Sequence, residues 1–477
     1  MDTTPPATTH PGQPQHVEGK PPGLRAELGL VALTLYGVGN MVGAGIYGLV
    51  GVATGIMGRA VWISFIVSMI VAGLTGLSYA SLGSRYPKAA GAAYVVQRAF
   101  HRPWLTYVIG LCITCSGLTS MATASNVLGG YAQSILRDGL GLAAPAWAVV
   151  LVFLLSLAAV NFRGIRASAR LNAVCTCVEV AGLLLVVAVC LPAWGGVDYL
   201  DTTSPANPGG DWQPALVLQG AVLTFFAFIG FEDLLNVSEE VRNPRRILPI
   251  ALVTALVAAT ALYLAVAVSV VSVVPIDELA QSKAPLEAVM ARAAPWCPPH
   301  LMSVIAVFAV ANTTLLNYIM GSRILYGMAR QGLLPAALGR VHPTRHTPHV
   351  AILVLLGLAL ALALPGGVKA LGAATSLLLL ASFILVNVSL LTLRRRPGEA
   401  TGGFEVPAWV PVGGALTCAG LIVNQVVQAL KPRDAGDANV APLALAAGIV
   451  VGILVLYAAL RPRVVEEAQP PAQEGPG

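Results

Sequence analysis

Charge is scarce in this sequence. Only 10% of its 477 residues are Asp, Glu, Lys or Arg, against about 25% in an average soluble domain. That is too little to keep a chain of this size in water, so much of its surface must face lipid. Histidine is also sparse. The seven histidines fall in the N-terminal tail, between apolar stretches or, for His349, at the very start of one, and no nucleophile–base pair is evident, which argues against an enzyme. The seven cysteines include Cys112, Cys115, Cys175 and Cys177 within apolar stretches. No histidine or carboxylate set completes a metal site with them, so neither metal nor cofactor is expected. No phosphate loop of the form GxxxxGK[ST] occurs, which argues against direct coupling to ATP. The first 22 residues contain no apolar core and do not read as a secretory signal. Residues 1–24 and the Pro/Glu/Gln-rich stretch 464–477 read as disordered cytoplasmic tails.

What the sequence has in abundance is apolar runs. Cutting at charges, prolines and glycine clusters leaves twelve segments, at 28–51, 59–82, 104–134, 145–161, 169–192, 214–238, 248–274, 301–329, 348–364, 369–393, 407–429 and 440–460. Nearly all reach the roughly 18 to 20 residues needed to cross about 30 Å of hydrocarbon. The spacing predicts an all-α integral membrane protein of twelve transmembrane helices. The net charge of +6 is explained by where the basic residues sit, without nucleic acid as a partner. Clusters such as Arg163, Arg166 and Arg170, Arg242, Arg245 and Arg246, and Arg394, Arg395 and Arg396 recur on alternate loops. The intervening loops carry isolated cations such as Arg59 and Arg137. This asymmetry predicts both termini on the cytoplasmic side.

Two of the segments are interrupted. The first contains GVGNMVGAGIYG, residues 37–48, and the sixth contains FFAFIGFED, residues 225–233, with Gly230 among aromatics. Close helix packing alone would account for Gly39-xxx-Gly43. Matching interruptions in the first and sixth segments, however, point to a transporter binding site near the membrane midplane. The chain then divides into 25–192 and 212–396 as two repeats of five, with 404–461 appended, all within one domain at 25–463. Unwinding a helix in lipid strands its peptide groups, and it is tolerated only where protein, water or ligand supplies partners. The break offers free N–H groups at a positive half-helix end and free carbonyls at a negative one. Such a site suits a ligand carrying a carboxylate and an ammonium. Gly37 and Gly39 are expected to serve packing, and Gly43 and Gly45 to meet ligand. Phe225, Phe226, Phe228 and Phe231 would cover it.

These two stretches, the second extended to FFAFIGFEDLLNVSEEVRNPRRILP, resemble the signatures of the amino acid–polyamine–organocation transporter superfamily. Within it, the chain most resembles permeases related to the cationic amino acid transporters. SLGSRYPKAAGAAYVVQRAF (81–100) and MGSRILYGMARQGLLP (320–335) are similar to further family segments. The resemblance covers nearly all of residues 25–460. It implies the leucine-transporter fold, with an inverted 5+5 repeat, two extra helices and alternating access. It also implies that the substrate's α-carboxylate meets Val42, Gly43, Ala44, Gly45 and Ile46. The amino group would meet carbonyls of Phe226, Ala227, Phe228 and Ile229, with Gly230 opening the second break. Two positions depart from the family. Ser81 stands where relatives commonly have an acid, and Gln331 where they often read Arg-Asp-Gly. Both put inner-gate charge pairs in doubt.

One acid, Glu179, lies deep in a segment without a polar cluster beside it. An ionisable group there is a functional candidate by default. In similar permeases this position often carries a lysine beside the first span. Here Glu179 is expected to couple transport to an ion, with protons ranked ahead of sodium. Sodium would involve Asn312 or Thr313, and a hydrogen-bonded structural glutamate is the bland alternative. Glu232 and Asp233 are expected to cap the inner half-helix ahead of a role in gating or cation attraction. Thr114, Ser116, Asn312, Thr313, Asn317 and Ser376 are candidates for side-chain selectivity, and each suits an ordinary interhelical hydrogen bond equally well. The resulting expectation is a secondary active permease that moves amino acids across the cytoplasmic membrane by alternating access, coupled to protons. A polyamine or amine carrier, an exchanger and a low-turnover amino acid sensor are the alternatives.

Overall fold

The computed structural model describes residues 28–86, 91–139, 141–163, 168–235, 237–238, 241–298, 300–345, 347–399, 401–430 and 440–462. Both expected tails, 1–24 and 464–477, lie outside the described residues. All twelve apolar segments are helical, and the described residues form no sheet, only two isolated bridges. Ten helical runs are long and apolar enough to cross a membrane. One of them, Leu30–Arg85, is 56 residues long and carries both the first and second segments. The ninth segment, His349–Ala363, is apolar but only 15 residues long.

Proline and glycine set many of the ends. Pro103, Pro214, Pro244 and Pro285 each stand in the first turn of a helix, where a missing N–H costs no helical hydrogen bond. Asn243 adopts a left-handed conformation, φ 50°, directly before Pro244, a role that asparagine tolerates better than most residues. The expected segment boundaries move most where the chain breaks. The first segment is a helix from Leu30 to Met41, a bend at Val42–Gly43, a π-turn at Gly45–Leu49 and a helix from Val50 to Met57. The sixth is a helix from Pro214 to Phe225 followed by two 3-10 turns, Phe226–Phe228 and Phe231–Leu235. The expected inner half-helix after Gly230 is therefore a short 3-10 turn.

Helix packing carries a two-fold relation. The first segment packs on the seventh and the sixth on the second. The third packs on the tenth and the eighth on the fifth. The first packs on the fifth and the sixth on the tenth. Exchanging each segment for its mate five places along turns each pairing into another. Mates an odd number of crossings apart run antiparallel, so the relation is an inverted repeat. The third and eighth segments, mates of each other, lie along one another at the centre and flank the two breaks.

At the face where the second segment ends, ion pairs tie the linker between the tenth and eleventh segments to the bundle. Arg85 meets Glu405 at 2.6 Å, and Glu399 accepts from Arg98 at 2.8 Å and Tyr86 at 2.7 Å. Burial alone would raise the Glu399 carboxyl, but these two hydrogen bonds and the nearby Arg396 hold it below the ordinary glutamate value. Ser81, the residue standing in the family's acidic position, is buried and its hydroxyl has no partner among the described residues. Gln331 caps the eighth helix from an exposed position. The charge pairing at this face thus runs through the linker.

Candidate functional site

The two breaks lie against each other. A Cβ added to Gly45 would stand 2.4 Å from the Ala227 Cα, and one added to Gly230 would stand 2.7 Å from the Asn40 carbonyl oxygen. Side chains do not approach backbone that closely, so both positions require glycine for space. Gly230 also has φ 117°, a conformation that an L side chain resists. Gly43 faces differently: its Cβ would fall 2.0 Å from the Thr313 hydroxyl oxygen. Gly39 is packed in the same way against Thr176. Gly43 and Gly39 therefore seat the first segment on the eighth and fifth.

The first break has the expected polarity. Val42 N–H still bonds Val38 O, at 2.8 Å, closing the first half-helix. The next half begins with Tyr47 N–H to Gly43 O, at 3.2 Å. Helix geometry leaves the amides of Ala44, Gly45 and Ile46 without an intrahelical acceptor, at an end that attracts anions. At the second break, Ile229 is extended and Gly230 N–H donates to Glu232 Oε2 at 2.9 Å. That is the capping role expected of Glu232. Of the four carbonyls expected to take an ammonium, that of Ala227 already accepts the Tyr263 hydroxyl at 2.8 Å.

A cavity opens beside the breaks. Its wall includes Ala44, Gly45, Phe226, Ile229, Gly230, Thr114, Ser116 and Thr313 from among the expected site residues. Val42, Gly43, Ile46, Ala227, Phe228 and Asn312 are not part of this wall. Asn317 also lines it, whereas Ser376 does not and donates to Gly372 O at 3.2 Å. Thr114 donates to Gly110 O at 2.8 Å, and Asn317 to Thr313 O at 3.0 Å. The cavity continues past Met320 and Ile324 of the eighth segment, toward the face where the first segment begins. Toward the opposite face the first segment is packed shut. A Cβ on Gly48 would meet Val127 at 2.2 Å, and one on Gly51 would meet Leu279 O at 2.6 Å.

Among the wall residues that were not anticipated are two from the first segment. Met41 and Asn40 precede the bend, and Asn40 is buried with both amide atoms unpartnered among the described residues. A polar residue one turn before a glycine cluster is the only sequence signal that marks it.

Glu179 sits at the junction of the first, fifth and eighth segments. Its side chain is fully buried. Asn312 Nδ2 lies 3.5 Å from Oε1 and 2.8 Å from Asn172 Oδ1, while Oε2 has no partner among the described residues. The Glu179 carbonyl accepts the Tyr47 hydroxyl at 2.8 Å, and the Tyr47 carbonyl accepts the Tyr131 hydroxyl at 2.7 Å. Tyr131 in turn faces Leu286 N at 3.4 Å, in the short helix Pro285–Ala293. A chain of hydrogen bonds thus runs from the Glu179 backbone to the closed face. Among the described residues no group of His, Cys, Asp or Glu has the arrangement of a metal site.

The family model described as amino acid permease matches residues 28–455. The chain is 27% identical over 425 residues to the branched-chain amino acid permease BcaP of Bacillus subtilis, covering 84% of this chain and 88% of that one. It is 31% identical over 336 residues to cationic amino acid transporter 9, chloroplastic, of Arabidopsis thaliana, covering 66% and 57%. It is 28% identical over 420 residues to the methylthioribose transporter of Bacillus subtilis, covering 83% and 87%.

Proposed function

The chain belongs to the amino acid permease family, and on that premise we propose that it carries amino acids across the cytoplasmic membrane by alternating access, with Glu179 coupling transport to protons. It is a multi-pass membrane transporter and not an enzyme. The observation that carries the proposal is the cross-packed pair of breaks with a cavity beside them. The substrate's α-carboxylate docks on the amides of Ala44 and Gly45, which line the cavity where the half-helix end is positive. Its ammonium faces the carbonyls around Phe228 and Ile229. Thr114, Ser116, Thr313 and Asn317 border the side chain. With the termini cytoplasmic, as the basic loops argue, the cavity faces inward in this structure.

Coupling rests on Glu179. A carboxylate with one oxygen unpartnered and no cation beside it is costly in lipid, and a carried proton removes that cost. Sodium is the second choice: it would draw on the same Glu179 with Asn312 or Thr313. Amines without a carboxylate form a second reading, which the acidic cavity wall favours: it holds Glu232 and Asp233 and no basic residue among the described residues.

The test is purified protein in liposomes with an imposed pH gradient, screened against pooled radiolabelled amino acids and polyamines. Uptake or counterflow of at least one amino acid pool is expected. Binding without flux would make the protein a sensor, and neither uptake nor counterflow with any pool sinks the transporter assignment.

A further inference from the structure

The corner where the fourth helix ends and the ninth begins is cationic and lacks a counterion. The fourth helix spans Ala146–Arg163, the ninth spans His349–Ala363, and the two pack together. Arg345, in the loop between the eighth and ninth segments, lies over the Phe162 ring, 4.9 Å from its centroid. The His342 ring packs edge-to-face with Phe162 at 5.1 Å and with His349 at 5.8 Å. The Thr347 hydroxyl donates to the Phe162 carbonyl at 3.3 Å, which holds the loop on the end of the fourth helix. Arg163 and Arg345 are exposed, and neither has an ion-pair partner among the described residues. The neighbouring chain supplies none, since residues 139–178 and 288–398 contain no Asp or Glu. The third segment, which packs on both helices, has none either.

Two buried nitrogens here are also unpaired among the described residues. They are His349 Nδ1 and, one residue before Phe162, Asn161 Nδ2. Buried polar atoms are ordinarily paired. The same two helices carry an exposed apolar strip that begins one turn from the cations. Val160 and Leu155 belong to it on the fourth helix, and Leu353 and Leu358 on the ninth. Guanidinium groups recognise phosphate through charge-assisted hydrogen bonds. A cation beside an anionic leaflet is favoured in the same sense.

We propose that this corner binds the headgroup of an anionic phospholipid, with Arg163 and Arg345 on its phosphate and the apolar strip along its acyl chains. A soluble phosphate would meet the same cations but would leave the strip without a partner, whereas a lipid matches both. The two arginines belong to different elements. A headgroup held by both therefore reinforces the Thr347 tie and braces the loop that leaves the eighth segment, which lines the cavity. The proposal does not depend on which substrate is carried.

The test incubates the full-length protein in vesicles of phosphatidylcholine mixed with phosphatidylglycerol, extracts it gently and weighs it intact by native mass spectrometry. Wild type is expected to retain phosphatidylglycerol in preference to phosphatidylcholine. The double variant Arg163→Gln/Arg345→Gln is expected to hold it about thirtyfold more weakly, the sum for two cations at an anionic surface. Arg245→Gln/Arg246→Gln removes two exposed cations from another loop and is expected to retain the wild-type level. Equal losses in the two double variants, or no preference in wild type, overturn the site. A wild type whose melting temperature in phosphatidylcholine vesicles rises as much with inorganic phosphate as with phosphatidylglycerol overturns the lipid assignment. Should the Arg163→Gln/Arg345→Gln protein fail to fold, photo-crosslinking of wild type with a headgroup-labelled phosphatidylglycerol decides. Adducts within residues 341–353 or at the end of the fourth helix support the site, and adducts confined elsewhere overturn it.

Discussion

Glu179→Gln is expected to abolish pH-driven accumulation while sparing substrate exchange. One pH unit is worth about 1.4 kcal/mol for each proton carried, or about tenfold accumulation. Wild type with a gradient of one unit should concentrate its substrate by about that factor, and the variant should only equilibrate it. Glutamine keeps the shape and can still meet Asn312, whose Nδ2 lies 3.5 Å from Glu179 Oε1. What it removes is the ability to gain and lose a proton. Exchange requires the substrate site and the movement between the two faces, but no net proton. The contacts around Glu179 offer a route for the proposed coupling. The Glu179 carbonyl holds Tyr47 of the first segment, and Tyr47 holds Tyr131 beside the closed face. On the proposed role, a change of charge at Glu179 would act through this backbone contact on the segment that carries the carboxylate site and on the packing that closes one side. Concentrative uptake by the variant at the wild-type level removes Glu179 from the coupling role. Equal loss of uptake and exchange, with a lowered melting temperature, assigns it to structure.

The second large effect is expected at Gly45. Gly45→Val should eliminate measurable substrate binding, with the protein still inserted in the membrane. The added Cβ would lie 2.4 Å from Ala227 Cα and 2.8 Å from Ala227 Cβ. Neither is a flexible side-chain end, so the two breaks must separate. Overpacking of this kind costs about 1–3 kcal/mol of stability, and the larger consequence is lost geometry, since the carboxylate and ammonium partners sit on the two elements being pushed apart. Isothermal titration or scintillation proximity with the substrate found in liposomes reads the loss. Wild-type affinity in Gly45→Val would mean that the breaks do not form the site. Gly43 is a less direct probe. The space that its side chain would fill is held by Thr313, so a substitution there strains the contact with the eighth segment and reaches the cavity only through it.

The broad architecture was legible because membrane helices announce themselves by length and composition. Apolar runs gave the helices, and alternating basic loops gave an orientation. Two glycine-marked interruptions at matching places gave the paired break. In the structure Gly230 has a conformation and a space open only to glycine. Local detail was less legible, because it depends on which face of a helix meets which neighbour. Gly43 and Gly45 look alike in sequence. Two residues apart across the bend into the π-turn, they face Thr313 and Ala227 respectively. Asn40 went unnoticed because an isolated asparagine in a membrane helix ordinarily bonds across to a neighbour. Only the three-dimensional arrangement shows it buried, unpaired and on the cavity wall. The hydrogen bonds of Tyr47, Tyr131 and Tyr263 were likewise invisible, since their acceptors are backbone carbonyls distant in sequence.

The claim at the centre of this account is that a substrate carboxylate docks on the amides exposed by the first break. The most direct measurement is a thermal-shift comparison between each stabilising amino acid and the amine left when its carboxylate is removed. At a ligand concentration of about one hundred times Kd, binding adds about 2.7 kcal/mol to the native state. The account predicts a clear rise in melting temperature with the amino acid and little or none with the matching amine. Equal stabilisation by the two would contradict it.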